Sequence, residues 1–118
     1  MGAYRQTFPT ASIQLATTPG DVLYTCPAGT KAQIQKLTFL NTTATARTVT
    51  VHIVRSGGAI GVTNQVWIAA TVPLNTTAPR GVECFEAEGQ VLNPGDFIQA
   101  FASAATAITP MGSVVEFT

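Results

Sequence analysis

Charge is what this 118-residue chain has least of. Lys, Arg, Asp and Glu make up 10% of it, against roughly a quarter in an ordinary soluble domain. Six cations balance six acids, so the formal net charge is zero at neutral pH. Arg5, Lys31, Lys36, Arg47, Arg55 and Arg80 are scattered and form no stripe that could neutralise a phosphate backbone, so no nucleic-acid partner is expected. There is one histidine, His52. Alone it makes no transition-metal site, and although it could serve as a general base, no Ser-His-Asp order and no nucleophile elbow accompany it. The two cysteines, Cys26 and Cys84, lie far apart in apolar runs without a CxxC partner. They read as buried free thiols. A disulfide would need an oxidising compartment. No apolar run approaches the roughly 20 residues that span a bilayer as a helix. The opening "MGAYRQTFPTASIQL" has no basic region followed by an apolar core, and Gln6 stands where a myristoylation motif takes Ser or Thr. Synthesis in a cytoplasm and no membrane partner are expected. The Gly-rich "RSGGAIG" lacks the Lys and the helix of a phosphate loop.

What is present is strand and turn. "TVTVHIV" alternates, with Val49, Val51 and Ile53 on one face and Thr48, Thr50 and His52 on the other. "QVWIAATV" alternates too, which assigns Val66, Ile68, Ala70 and Val72 inward and Trp67 outward. "ASIQLAT", "DVLYTC", "KAQIQKLTFL", "GVECFEA", "DFIQAFA" and "SVVEFT" are further strand candidates. In "KAQIQKLTFL" the apolar face switches between Ile34 and Leu37, which predicts a bulge or sharp twist. "ASAATAIT" reads as loop or strand, and no helix-length amphipathic run occurs. Between the strands lie Gly- and Pro-rich clusters at the spacing of an antiparallel β-sandwich, jelly-roll-like, of about eight strands.

Two phrases recur. Pro-Gly-Asp stands at Pro19–Asp21 and at Pro94–Asp96, each time just before an apolar run. Pro cannot continue a ladder, Gly allows the bend, and Asp can accept from nearby backbone amides, so both read as corners. "LNTTA" stands at Leu40–Ala44 and Leu74–Ala78, each time as a strand exit. Its two Asn-Thr-Thr sequons are read as turns.

Glu83, Glu86 and Glu88 could suggest paired carboxylates for acid–base work or calcium, but read more simply as a solvated rim. His52 reads as a solvent-facing or interface residue on the polar side of its strand. No catalytic residue, cofactor or metal ligand set is expected. The aromatics carry the functional signal: Trp67 outward, and Phe97 and Phe101 sharing a face with Gln99. Outward aromatics are typical anchors of protein interfaces, and interfaces are surfaces depleted in Lys, Glu and Asp. Residues 1–9, with Tyr4 and Phe8, read as an extended amino-terminal arm, mobile in the free protein, and residues 10–118 as the single sandwich domain. The expected interface residues are Tyr4, Phe8, Trp67, Phe97 and Phe101.

"LYTCPAGTKAQIQKLTFLNTTATARTVTVHIV", Leu23–Val54, resembles a pattern in small tailed-bacteriophage virion proteins. There an LYT-x-PAGT opening leads into a strand, an Asn-Thr-rich turn and a Val/Thr strand. "VLNPGDFIQAFASA", Val91–Ala104, is similar to the same pattern. The resemblance implies a non-enzymatic structural protein of a phage particle, assembled in the host cytoplasm and resident in the virion. It would be a capsid cement or decoration protein that forms dimers or trimers and packs on the major capsid or other virion proteins. A tail-associated or receptor- or carbohydrate-binding sandwich is the alternative. "NPGD" before a strand is also similar to cupins, but their histidine pair is missing here.

Overall fold

A computed structural model describes residues 2–118, and every regular element but one 3-10 turn, Val62–Asn64, is a strand. The nine strands are β1 (Ala3–Phe8), β2 (Asp21–Thr25), β3 (Lys31–Asn41), β4 (Arg47–Val54), β5 (Gln65–Val72), β6 (Val82–Glu83), β7 (Val91–Leu92), β8 (Phe97–Ala102) and β9 (Ile108–Phe117). They form two antiparallel sheets. Sheet A runs β1-β9-β3-β6, with β7 also on β3, and sheet B runs β2-β8-β4-β5. The early strands pair with the late ones in reverse: β1 with β9, β2 with β8, β3 with β6, β4 with β5. That is the pairing order of a jelly roll, a β-ribbon wrapped into a sandwich.

Alternation within strands supplies the core. From sheet A come Ala32, Ile34, Leu37, Phe39, Ile108 and Val114. Sheet B contributes Val49, Val51, Ile53, Ile98, Ala100 and Ala102, and all twelve are buried. The register of β3 against β9 slips between Ile34 and Lys36, where the sequence switches its apolar face. The extra residue keeps both Ile34 and Leu37 pointing inward.

The repeated phrases are corners, and they meet. The two strands that open on Pro-Gly-Asp, β2 and β8, are hydrogen-bonded neighbours. Gly20 and Gly95 both take positive φ, +81° and +86°. A Cβ on Gly20 would lie 2.0 Å from the Ala100 carbonyl oxygen. The two "LNTTA" exits also touch, since the Asn75 amide donates to the Thr43 carbonyl at 3.1 Å. Asn41 is fully buried there. Its Nδ2 donates to the Thr45 and Val72 carbonyls, and its Oδ1 accepts from the Thr43 amide and hydroxyl.

Asp96 ties its corner more tightly than Asp21 does. Its Oδ2 accepts from the Asn93 amide and Arg55 at 2.8 Å, and its Oδ1 from the Ser56 amide at 2.9 Å. Burial alone would push the carboxyl up. The amides of Asn93 and Ser56 and the Arg55 guanidinium outweigh it and hold the carboxyl below the ordinary value of 3.8. A depressed folded pKa means stability that is present above the unfolded value and lost as pH falls through the folded one. Asp96→Asn is therefore expected to cost about 1–3 kcal/mol at pH 7, with the difference shrinking in acid below about pH 3. Denaturant melts of both proteins at the two pH values check this, and an equal loss at both would show that the charge plays no part.

Three expectations need correction. Residues 1–9 are not a free arm: β1 pairs with β9 from Ala3↔Phe117 to Phe8↔Gly112, and Phe8 is a core residue (Met1 lies outside the described residues). "ASIQLAT" forms no strand. It instead carries buried Leu15, whose backbone bonds to Ile108 and Thr106. "GVECFEA" is strand only at Val82–Glu83. Cys84 and Ala87 then enter the core from a turn.

Candidate functional site

The two outer faces of the sandwich are chemically unlike. On sheet A the outward positions include Arg5 on β1, Lys31 and Lys36 on β3 and Glu83 on β6, interleaved with the exposed apolar Val91, Met111 and Phe117. On sheet B they are Val22 and Thr25 from β2, Phe97, Gln99 and Phe101 from β8, Thr48, Thr50, His52 and Val54 from β4, and Gln65, Ile68, Ala69 and Thr71 from β5. None is charged. The only charged residues in the strands of sheet B are Asp21 and Arg47, each the first of its strand. Val22 and Ile68 are 50% and 73% exposed at opposite margins of this face.

Part of the face is already roofed. After β4 the chain from Arg55 to Asn64 folds back over it, and Val54 and His52 are buried beneath. Asn64 clamps this loop. Its Oδ1 lies 2.7 Å from the His52 Nδ1 and accepts from the Gly61 amide, while its Nδ2 donates to the Ala59 carbonyl. The His52 ring lies 6.0 Å from that of Phe101. His52 thus sits on the face expected but is buried within the fold rather than solvent-facing.

The expected interface residues scatter. Phe97 and Phe101 share the partly exposed outer side of β8 with Gln99, as alternation requires. Tyr4 is 56% exposed on the edge strand β1. Phe8 is buried, its ring 5.8 Å from Tyr24. Trp67 faces the core, contrary to the sequence reading: its ring tilts on Phe39 at 5.6 Å and its Nε1 donates to Glu86 at 2.5 Å. The cause is two register slips in β5, which pairs Val49 with Ala70, Val51 with Trp67 and His52 with Gln65. Ala69 takes φ +46°, and its amide donates to the Thr50 hydroxyl. The slip turns Trp67 inward and Ile68 outward.

All six acids accept structural hydrogen bonds. Asp21 accepts from the Ala16 amide, Glu86 from Trp67, Glu88 from the Leu37 amide and Glu116 from the Tyr24 hydroxyl. Glu83 pairs with Lys36 at 2.7 Å and Asp96 with Arg55 at 2.8 Å. Among the described residues no group of three or more His, Cys, Asp or Glu is placed to hold a metal ion. A recess of about 300 Å³ between β1 and β2 is lined by Gln6, Phe8, Tyr24 and Glu116. Burial and the Glu116 carboxylate hold the Tyr24 phenol well above its ordinary value, so it is a donor there and not a base. Burial pushes the Cys84 thiol up to about 12, and raises Cys26 as well. Both are free and sealed in the core. No family model, curated protein or solved structure matches this chain.

Proposed function

We propose that this chain is a non-enzymatic structural protein of a larger assembly. On the resemblance of Leu23–Val54 and Val91–Ala104, that assembly is a bacteriophage particle in which the chain serves as a cement or decoration subunit. The observation that carries the reading is the uncharged outer face of sheet B, which exposes Val22 and Ile68 and shares its surface with Phe97 and Phe101. A solvated sheet face ordinarily bears charge, and surfaces covered by a protein partner are the ones depleted in it. The low overall charge is thereby localised: what charge there is decorates sheet A, the loops, the corners and, with Arg47, the start of β4. A glycan- or receptor-binding module would concentrate aromatics at one loop end. The strongly exposed aromatics are Tyr4, Phe85 and Phe117, and of these only Phe85 lies in a loop.

Mass spectrometry of purified particles, with copy number measured against the major capsid protein, tests the proposal. A shell component is expected at on the order of hundreds of copies. A handful of copies would move it to the tail, and absence from particles would overturn the virion reading.

A further inference from the structure

We infer that the free edge of β1 is a docking site for an extended, acidic segment of a partner protein, which adds to sheet A as a further strand. The source of that segment rests on the assembly reading above; the edge itself does not.

Among the described residues the two sheets end in β1, β6 and β7 on one side of the sandwich and β2 and β5 on the other. Four of these are closed to growth. β2 slips register between Val22 and Tyr24, β5 slips twice around the Ala69 kink, and β6 and β7 are two residues each. β1 differs. It runs six residues in unbroken register against β9, contains no proline, and Ala3 to Thr7 are all exposed.

The backbone groups that β1 offers follow from one bond. The Thr118 amide donates to the Gly2 carbonyl at 3.0 Å. In an antiparallel ladder the residues that exchange bonds with a neighbour alternate with those that point away from it. Gly2, Tyr4, Gln6 and Phe8 therefore face β9, and the N–H and C=O of Ala3, Arg5 and Thr7 face the open edge. An extended backbone is what takes up three such donor–acceptor pairs in a row.

Charge selects whose backbone it is. Arg5 stands at the centre of the edge and belongs to neither ion pair of the described residues. A second copy, pairing antiparallel on β1, engages all three residues only by setting Arg5 opposite its own image, where like charges repel. A shift of two residues either sets Ala3 against Pro9, which has no N–H to give, or carries Thr7 past Ala3, where the strand begins. A foreign strand with a carboxylate opposite Arg5 completes the three pairs and the charge together. It would also close the recess between β1 and β2, its inward side chains meeting Gln6 and the half-exposed Val22.

The test uses the full chain and a capped seven-residue peptide of alternating valine and threonine, with the central threonine replaced by glutamate in one probe and by lysine in the other. Fluorescence anisotropy should show the glutamate peptide binding about fivefold or more tightly than the lysine peptide. Arg5→Glu, at an exposed position, should reverse that order. Ala3→Pro, which removes an N–H from the open edge and none from the β9 ladder, should weaken the glutamate peptide about threefold to tenfold while melting within a few degrees of native. Hydrogen exchange should slow on binding at the Ala3, Arg5 and Thr7 amides, with those of Tyr4, Gln6 and Phe8 already protected.

Binding that leaves the three open-edge amides in fast exchange, or that ignores the charge at Arg5, would overturn the inference. So would no binding of either peptide up to about millimolar concentration. Protection of the same three amides in the chain alone, rising with its concentration, would replace the foreign strand by a second copy. None of these results touches the copy number in particles, which decides the assembly reading separately.

Discussion

Removing residues 1–9 is expected to prevent the domain from folding, and Phe8→Ala to lower its stability by about 3–5 kcal/mol. The strand they form is the outermost of sheet A, yet its last residue reaches the centre of the sandwich. Phe8 is 1% exposed. Its ring rests directly on the backbone of β9: a Cβ on Gly112 would lie 2.4 Å from that ring and also 2.4 Å from the Lys36 carbonyl oxygen. Gly112 thus leaves a recess in β9 that the Phe8 ring fills. On the other side the ring meets Tyr24, so its loss also loosens the contact between the two sheets. At about 4 °C per kcal/mol for a domain of this size, Phe8→Ala should melt roughly 12–20 °C lower. Circular dichroism melts of the native chain and the variant measure this. A melting point unchanged by Phe8→Ala, with particle attachment lost, would restore the free-arm reading of the amino terminus.

That reading fails for an identifiable reason. "AYRQTF" mixes polar and apolar residues because only its inward side, and only near Phe8, is covered, leaving the rest of the strand exposed. Its strand character comes from pairing with β9, more than a hundred residues away in sequence, and no local pattern carries that. Elements with a local cause were legible. The Ile34–Leu37 face switch marks the β3 bulge, because a single chain cannot bury both without an extra residue. Pro-Gly-Asp marks the entries of β2 and β8, because Pro and Gly set the bend and the Asp accepts from an amide three to five residues back. The uncharged outer face of sheet B was half legible. Phe97, Gln99 and Phe101 follow from alternation along β8. That β2, β4, β5 and β8 share one sheet, and so pool an uncharged face, depends on pairing across the whole chain. The acids were misplaced in role: Glu83, Glu86 and Glu88 look like a solvated rim, yet each holds a specific donor from β3 or β5.

Trp67 is where local pattern and structure part most sharply, and Trp67→Ala is expected to cost about 2–4 kcal/mol of folding stability. Strict alternation through "QVWIAATV" turns the indole outward. The chain departs from alternation at Ala69, whose positive φ inserts an extra residue opposite Thr50. That insertion exchanges the two sides of the strand as far as the second slip, between Trp67 and Gln65, so Trp67 faces Phe39 and Ile68 is left in solvent. Truncation then removes the tilted ring contact with Phe39 and leaves Glu86 without its donor. Trp67→Phe keeps the first and loses the second, so it should fall between native and Trp67→Ala, near 1 kcal/mol. As the chain's one tryptophan, Trp67 also reports its own surroundings by fluorescence. Its emission should already be blue-shifted in dilute solution and should stay put as concentration rises, because the ring lies on the inner side of sheet B. A red emission that moves to the blue on association, with a Trp67→Ala variant that melts like the native chain but no longer self-associates, would place the indole in the interface and remove the β5 kink from the account.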